Sequence, residues 1–159
     1  MTGGWSVTDG QLSGTDPKPF GMQTIILNRD LPSDIVVRFR TKMLATGVAE
    51  LMLHVTVDRY VRVYLYSGSA GVYLGNGNLA LNGAADGGAS VWEKSYSVEV
   101  GTWYTVTVTA QGSNYTIAID GSTVGRYNDT QGALSPSGRI GFTANSEEVR
   151  FDEVKIRRP

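Results

Sequence analysis

Apolar and polar residues alternate along most of this chain. In DIVVRFRTKM (34–43), Ile35, Val37, Phe39 and Met43 share one parity, and Val36, Arg38, Arg40 and Lys42 share the other. In AELMLHVTV (49–57) Leu51, Leu53, Val55 and Val57 alternate with Glu50, Met52, His54 and Thr56. In YVRVYLY (60–66) Val61, Val63 and Leu65 alternate with Tyr60, Arg62, Tyr64 and Tyr66. Successive side chains of a strand point to opposite faces, so these runs predict strands with one face in the core. No stretch repeats its apolar residues at a helical period. Gly, Asn, Asp and Ser bound the runs, which predicts an all-β chain of short strands and tight turns, a two-sheet antiparallel β-sandwich. No shift in composition marks a boundary, so residues 1–159 read as a single domain. The loosest stretch is NGAADGGAS, 82–90, read as a flexible loop.

The first three runs read as one meander. A two-residue turn at Asp58-Arg59 would oppose residues of mismatched faces, whereas a three-residue loop at 58–60 restores the match. Val55 then opposes Val63 and Leu53 opposes Leu65; on the outer face Thr56 opposes Arg62, His54 opposes Tyr64 and Met52 opposes Tyr66. A second meander spans WYTVTVTAQGSNYTIAIDGSTVG, 103–125. Gly112-Ser113 suits a II′ turn and Asp120-Gly121 a I′ turn. Those turns oppose Val108 to Ile117, Val106 to Ile119 and Ile117 to Val124, and leave a bland outer face of Thr105, Thr107, Thr116, Ala118 and Thr123. In VRFDEVKI the apolar parity changes between Phe151 and Val154, which predicts a β-bulge at Asp152-Glu153.

Composition narrows the chemistry. There is no cysteine, so disulfides, thiolate metal sites and a cysteine nucleophile are excluded. The formal net charge of −1 argues against a polyanion-coating protein of the histone type and leaves a local basic patch open. No apolar run is long enough to span a membrane. The opening MTGGWSVTDG is not a signal peptide and reads as the start of a domain cut from a longer chain, with export of the parent left open.

Taken in order, WSVTDGQLSG (5–14), GTWYTVTV and YTIAIDG (within 101–121), GRIGF (138–142) and VRFDEVKI (149–156) resemble the concanavalin A-like, laminin-G-type jelly roll. The similarity is to its bacterial members on polysaccharide-degrading enzymes: carbohydrate-binding modules of the family-66 kind and secreted keto-disaccharide hydrolase domains. The resemblance implies a jelly-roll sandwich and a sugar-binding habit. Members that hydrolyse glycans carry an E-x-D-x-E run that sets two carboxylates on one face for acid, base and nucleophile roles. This chain has no such run, so no catalytic pair carries over.

The residues themselves offer one constellation. On the meander reading, Arg38, Arg40 and Lys42, then Met52 and His54, then Arg62, Tyr64 and Tyr66 share one outer face. Phenol rings present flat apolar surfaces to the C–H faces of a pyranose, and arginine forks bind hydroxyls or carboxylates. Ordinary cross-strand packing of Tyr and Arg competes with that reading. His54, the one histidine, reads as a surface residue beside Tyr64 rather than a base or metal ligand. Trp5 and Trp103 read as core or rim packing. Trp92, with Tyr96, would either swing over a ligand or pin the glycine-rich loop. Asp9 and Asp152 could join backbone carbonyls around a structural Ca2+ ion, although turn and strand-end carboxylates are the plainer reading.

These readings point to a non-catalytic carbohydrate-binding module that holds a parent polysaccharide-active enzyme on glycan, acidic glycan included, outside the cell or in the periplasm. Its contact residues would be Arg38, Arg40, His54, Arg62, Tyr64 and Tyr66, with Trp92 and Tyr96 at the rim. The partners would be a polysaccharide or oligosaccharide and a catalytic domain, with no nucleic acid and no membrane. A small jelly-roll glycoside hydrolase or polysaccharide lyase is the alternative, and a structural or protein-interaction domain the third reading.

Overall fold

Sequence and backbone agree most closely in the second meander. Asp120 and Gly121 both take left-handed φ, 49° and 81°, as a I′ turn requires, and Gly112 does so at 54°. Val106 pairs with Ile119 and Val108 with Ile117, as the pattern predicts. The third strand departs by one residue: Ile117 opposes Gly125 rather than Val124, because a bulge there inserts Val124 between the Gly125 and Thr123 pairings.

The computed structural model describes residues 4–15, 23–67, 71–79, 85–86, 89–134, 136–145 and 148–159, without the side chains of 85, 86 and 145. These residues form no helix and fourteen strands: β1 (Gly4–Thr8), β2 (Gln11–Thr15), β3 (Gln23–Ile26), β4 (Ile35–Met43), β5 (Val48–Val55), β6 (Arg59–Tyr66), β7 (Gly71–Leu79), β8 (Ala85–Asp86), β9 (Ser90–Lys94), β10 (Tyr104–Gln111), β11 (Asn114–Ile119), β12 (Ser122–Asn128), β13 (Arg139–Asn145) and β14 (Val149–Arg157). One sheet runs β1-β2-β14-β4-β10-β11-β12 and the other β3-β13-β5-β6-β7-β8, with β9 also paired to β7. Every strand pair is antiparallel, which makes the two-sheet all-β sandwich expected from the pattern, of the jelly-roll kind that the resemblance implies. Much of the 82–90 stretch lies outside the described residues.

The inner faces bury Ile35, Val37 and Phe39 from the first sheet against Leu51, Leu53 and Val63 from the second. Phe39, Phe142 and Phe151 form an aromatic knot with centroids 4.5–6.0 Å apart. The C-terminal bulge is present: Glu153 takes φ 47°, the register slips between Asp152 and Lys155, and Asp152 accepts a hydrogen bond from the Glu153 amide at 2.7 Å.

Residues 34–66 do not form a meander. β4 lies in the first sheet between β14 and β10, while β5 and β6 pair in the second. The chain crosses between sheets after Met43, so Arg38, Arg40 and Lys42 lie on the opposite outer face from Arg62, Tyr64 and Tyr66. Alternation fixes which side of a strand faces the core, but both sheets face the same core, so it does not say which sheet the strand joins.

The β5–β6 register also differs. Leu51 opposes Val63, Glu50 opposes Tyr64 and Met52 opposes Arg62, with the chain reversing at 56–59. The Thr56 hydroxyl donates to Asp58 Oδ1 at 3.1 Å and accepts from the Arg59 amide at 3.3 Å, which makes a tight turn without glycine. The shift is an even number of residues, so faces are kept while partners change.

Candidate functional site

The outer face of the second sheet is built on a buried ion pair. Glu50 and Arg62 sit on adjacent strands in its middle, with Glu50 fully buried and Arg62 7% exposed. Arg62 donates from Nη2 and Nε to the same carboxylate oxygen, Oε2, at 2.6 and 3.1 Å. Oε1 makes no close hydrogen bond, and neither does the buried hydroxyl of Thr143, which lies opposite Glu50 on β13. Burial pushes the Glu50 carboxyl above its usual range, against the pull of the Arg62 guanidinium and the Tyr60 hydroxyl. Burial is the largest influence on Arg62 and opposes its charge, but Glu50, Tyr60 and Tyr64 together outweigh it and hold the guanidinium protonated.

Arg62 in turn holds Tyr64. Its guanidinium carbon lies 4.5 Å from the Tyr64 ring centre. Tyr73, directly opposite on β7, stacks on Tyr64 at 4.4 Å with planes 9° apart. A guanidinium and a phenol that close cannot share one face of a ring, so Tyr64 is sandwiched and half-buried Tyr73 forms the outer end of the stack. The Tyr64 hydroxyl is tied to the Ser90 side chain, and burial raises its pKa. Tyr66 stands beside the stack, half-buried, and Glu93 opposes Tyr73 from β9.

Glycines make room for this arrangement. The outward positions of β7 are Gly71, Tyr73, Gly75 and Gly77. A Cβ on Gly71 would collide with the Tyr73 ring, and one on Gly77 with the Tyr60 ring. Tyr60 lies flat in that space, fully buried with Met52 and Val55 in a small second cluster on the outer face.

Other predicted site residues lie elsewhere. His54 is not beside Tyr64. It adopts φ 53° in a bulge, where β5 spends one residue more than β13. The bulge turns the ring inward: His54 is 2% exposed, edge-on to Tyr115 at 6.4 Å, with Nε2 3.1 Å from the Ser33 carbonyl. It also reverses the parity of Val55, which joins the outer cluster instead of the main core. Trp92 opposes Leu74, an inward residue, and packs on Gly125 of β12, closing the lateral seam between sheets. Tyr96 packs edge-on against Tyr104 at 6.4 Å. Both pin the sandwich and neither lines the Tyr64 face.

Arg38 and Arg40 reach Glu153 at 3.7 and 3.3 Å on the first sheet's outer face. Arg40 and Lys42 lie 4.8 and 5.0 Å from the Trp103 ring, so Trp103 is an outer-face residue rather than core. Trp5 packs on Phe151 at 5.9 Å, as a core-edge residue would. Among the described residues, no three His, Cys, Asp or Glu side chains are gathered to hold a metal ion, and Asp152 is engaged in its own bulge.

Pattern reasoning missed Tyr73, and it left Glu50 at a strand end. The signal for Tyr73 was in GVYLGNG, where Val72 and Leu74 alternate with one tyrosine among bare glycines.

Comparison with known families places this architecture. The model of the 3-keto-alpha-glucoside-1,2-lyase-like domain matches residues 1–157. The chain belongs to that family. No curated protein matches. Among solved structures, the chain is similar to the carbohydrate binding module CBM66 from Bacillus subtilis, with 17% identity and a TM-score of 0.81 over 98% of this chain and 92% of that one. It is also similar to a Bacillus subtilis protein of unknown function with a galectin-like fold, with 10% identity and a TM-score of 0.78 over 98% and 87%. The Caenorhabditis elegans galectin LEC-6 follows, with 11% identity and a TM-score of 0.60 over 92% and 96%. At these identities the likeness is one of fold.

Proposed function

We propose that this domain binds carbohydrate on the outer face of the second sheet without transforming it. The observation that carries the reading is the Arg62–Tyr64–Tyr73 stack, which fixes the Tyr73 ring at its outer end beside Tyr66, Ser90 and Glu93. A fixed aromatic face suits the apolar side of a sugar ring and loses little entropy on binding. The surrounding hydroxyls and carboxylate suit the sugar's own hydroxyls. The similarity to a carbohydrate binding module supports the same role. On this reading the domain is an appended module of an exported polysaccharide-active enzyme, acting by raising local substrate concentration.

The test is electrophoresis through gels that contain neutral polysaccharides, with wild type and Tyr73→Ala side by side. The reading expects wild type to be retarded on at least one glycan and Tyr73→Ala to run as in an empty gel. Equal retardation of the two proteins contradicts it.

A second reading has its own support in the family name and in Glu50. A buried carboxyl with a raised pKa beside a tyrosine is the type of group that removes a proton from carbon next to a keto group. It predicts release of the aglycone from a 3-keto-glucoside, abolished in Glu50→Gln. Absence of product with retained binding leaves the module reading.

A further inference from the structure

We propose that the outer face of the first sheet is a second binding surface, for an anionic polysaccharide, independent of the Tyr64–Tyr73 site. The chain as a whole is nearly neutral, with 14 basic and 15 acidic residues, but the charge is unevenly placed. The outward positions of β4 and β14 carry Arg38, Arg40, Lys42, Arg150, Lys155 and Arg157, arranged by register into one continuous stripe. Among the described residues, the carboxylates beside them are Glu148, Asp152 and Glu153. The stripe therefore has an excess of three positive charges, and the rest of the chain a deficit of four.

Those carboxylates are already engaged and leave cations over. Glu153 sits between Arg38 and Arg40, Glu148 takes Arg150 at 2.6 Å, and Asp152 holds its own bulge. Lys155 and Arg157 make no ion pair among the described residues, and Lys42, whose charge acts on Glu148, makes none within 4 Å. Alternate positions on a strand repeat every ~6.7 Å, so the stripe offers charge at regular steps along a line. Trp103 stands at one end with the Arg40 guanidinium carbon and the Lys42 ammonium 4.8 and 5.0 Å from its ring centre, which holds both charged heads in place on this face. Beside the stripe lies a field of Thr105, Thr107 and Thr116 that offers hydroxyls and is bordered by exposed Arg126, opposite Thr116 on β12.

A one-sided, regularly charged face matches an extended chain bearing one carboxylate or sulfate per sugar. A nucleic-acid duplex would engage the same cations without using the threonine field or Trp103, and it serves as the competing outcome. The two faces are back to back, so a module that used both would bridge a neutral sugar on one side and an acidic chain on the other.

The experiment is chromatography on immobilised polygalacturonate, eluted with a salt gradient, with immobilised duplex DNA as the comparison column. Wild type is expected to be retained on polygalacturonate and to elute with salt. Arg40→Gln/Lys42→Gln/Lys155→Gln should elute at roughly half that salt or less. Glu153→Gln should elute later, because it frees Arg38 and Arg40. Tyr73→Ala should elute with wild type, which separates this surface from the proposed sugar site. The proposal is overturned if wild type runs through, if the triple variant elutes unchanged, if Tyr73→Ala also loses retention, or if DNA retains the protein as strongly as polygalacturonate.

Discussion

The two outer faces of the sandwich carry the same residue types and use them differently. On the first sheet, Arg38 and Arg40 share one exposed carboxylate, and Arg40 also lies against the Trp103 ring. On the second, Arg62 is buried against a buried Glu50 and braces a tyrosine stack. All three arginines and their neighbours arise from the same alternation of apolar and polar residues. What separates them is the neighbouring strand: β6 lies beside glycine-rich β7, whose missing side chains let aromatic rings lie down and cover the charges. β4 lies beside threonine-rich β10, which covers nothing. An outward parity therefore assigns a face, and the partner strand decides whether that face is a solvated surface or a second layer of structure.

The largest test of that difference is Arg62→Met. It strands the Glu50 carboxylate in a dry site and should cost about 3–5 kcal/mol in denaturant unfolding, whereas Glu50→Gln/Arg62→Met should recover most of the loss. If the single variant costs no more than a surface substitution, the pair is not buried as described. Gly77→Ala comes next: its Cβ meets the Tyr60 ring, and overpacking of this type costs about 1–3 kcal/mol. An unchanged unfolding midpoint would mean that Tyr60 does not lie on β7. Tyr73→Ala should cost about 1 kcal/mol through loss of the stack, less than either, while removing retention on neutral glycan entirely.

The glutamates of the two faces should titrate in opposite senses. Hydrogen bonding to Arg150 and Ser13 holds Glu148 below the usual carboxylate range, so its stabilising contribution is complete above that range and is lost as pH falls through the lowered value. Glu50 is raised, so the native state holds its proton more tightly, and stability falls as pH climbs from the ordinary value through the raised one. Unfolding free energy measured against pH should lose the acid-side slope in Glu148→Gln and the opposite slope in Glu50→Gln. Matching slopes from the two positions would contradict the electrostatics described. The smallest effect belongs to Arg38→Gln, an exposed pair worth within about 0.5 kcal/mol of nothing; a larger loss would mean that the first face is not simply solvated.

Turn chemistry and alternation made much of the fold legible. The Asp120-Gly121 hairpin, the Val106–Ile119 pairing and the bulge at Asp152-Glu153 all follow from local rules that the tertiary structure leaves intact. Sheet membership was not legible, because Ile35 and Leu51 face one core from opposite sides. The position of His54 was hidden by a bulge that shows only as a positive φ and a one-residue mismatch with β13. Arg62, Tyr64 and Tyr66 were found because they share one strand; Tyr73 joins them only through pairing of β6 with β7, and no property of YVRVYLY announces its partner.

The most direct test of the sugar-binding face is amide chemical-shift mapping during titration with the oligosaccharide of whichever neutral polysaccharide retards the protein. The account predicts shifts concentrated at Tyr64, Tyr66, Tyr73, Ser90 and Glu93, with Trp103 and Arg40 unmoved. Shifts centred on Trp103 and Arg40, or at the Trp92 seam with Tyr73 silent, would contradict it.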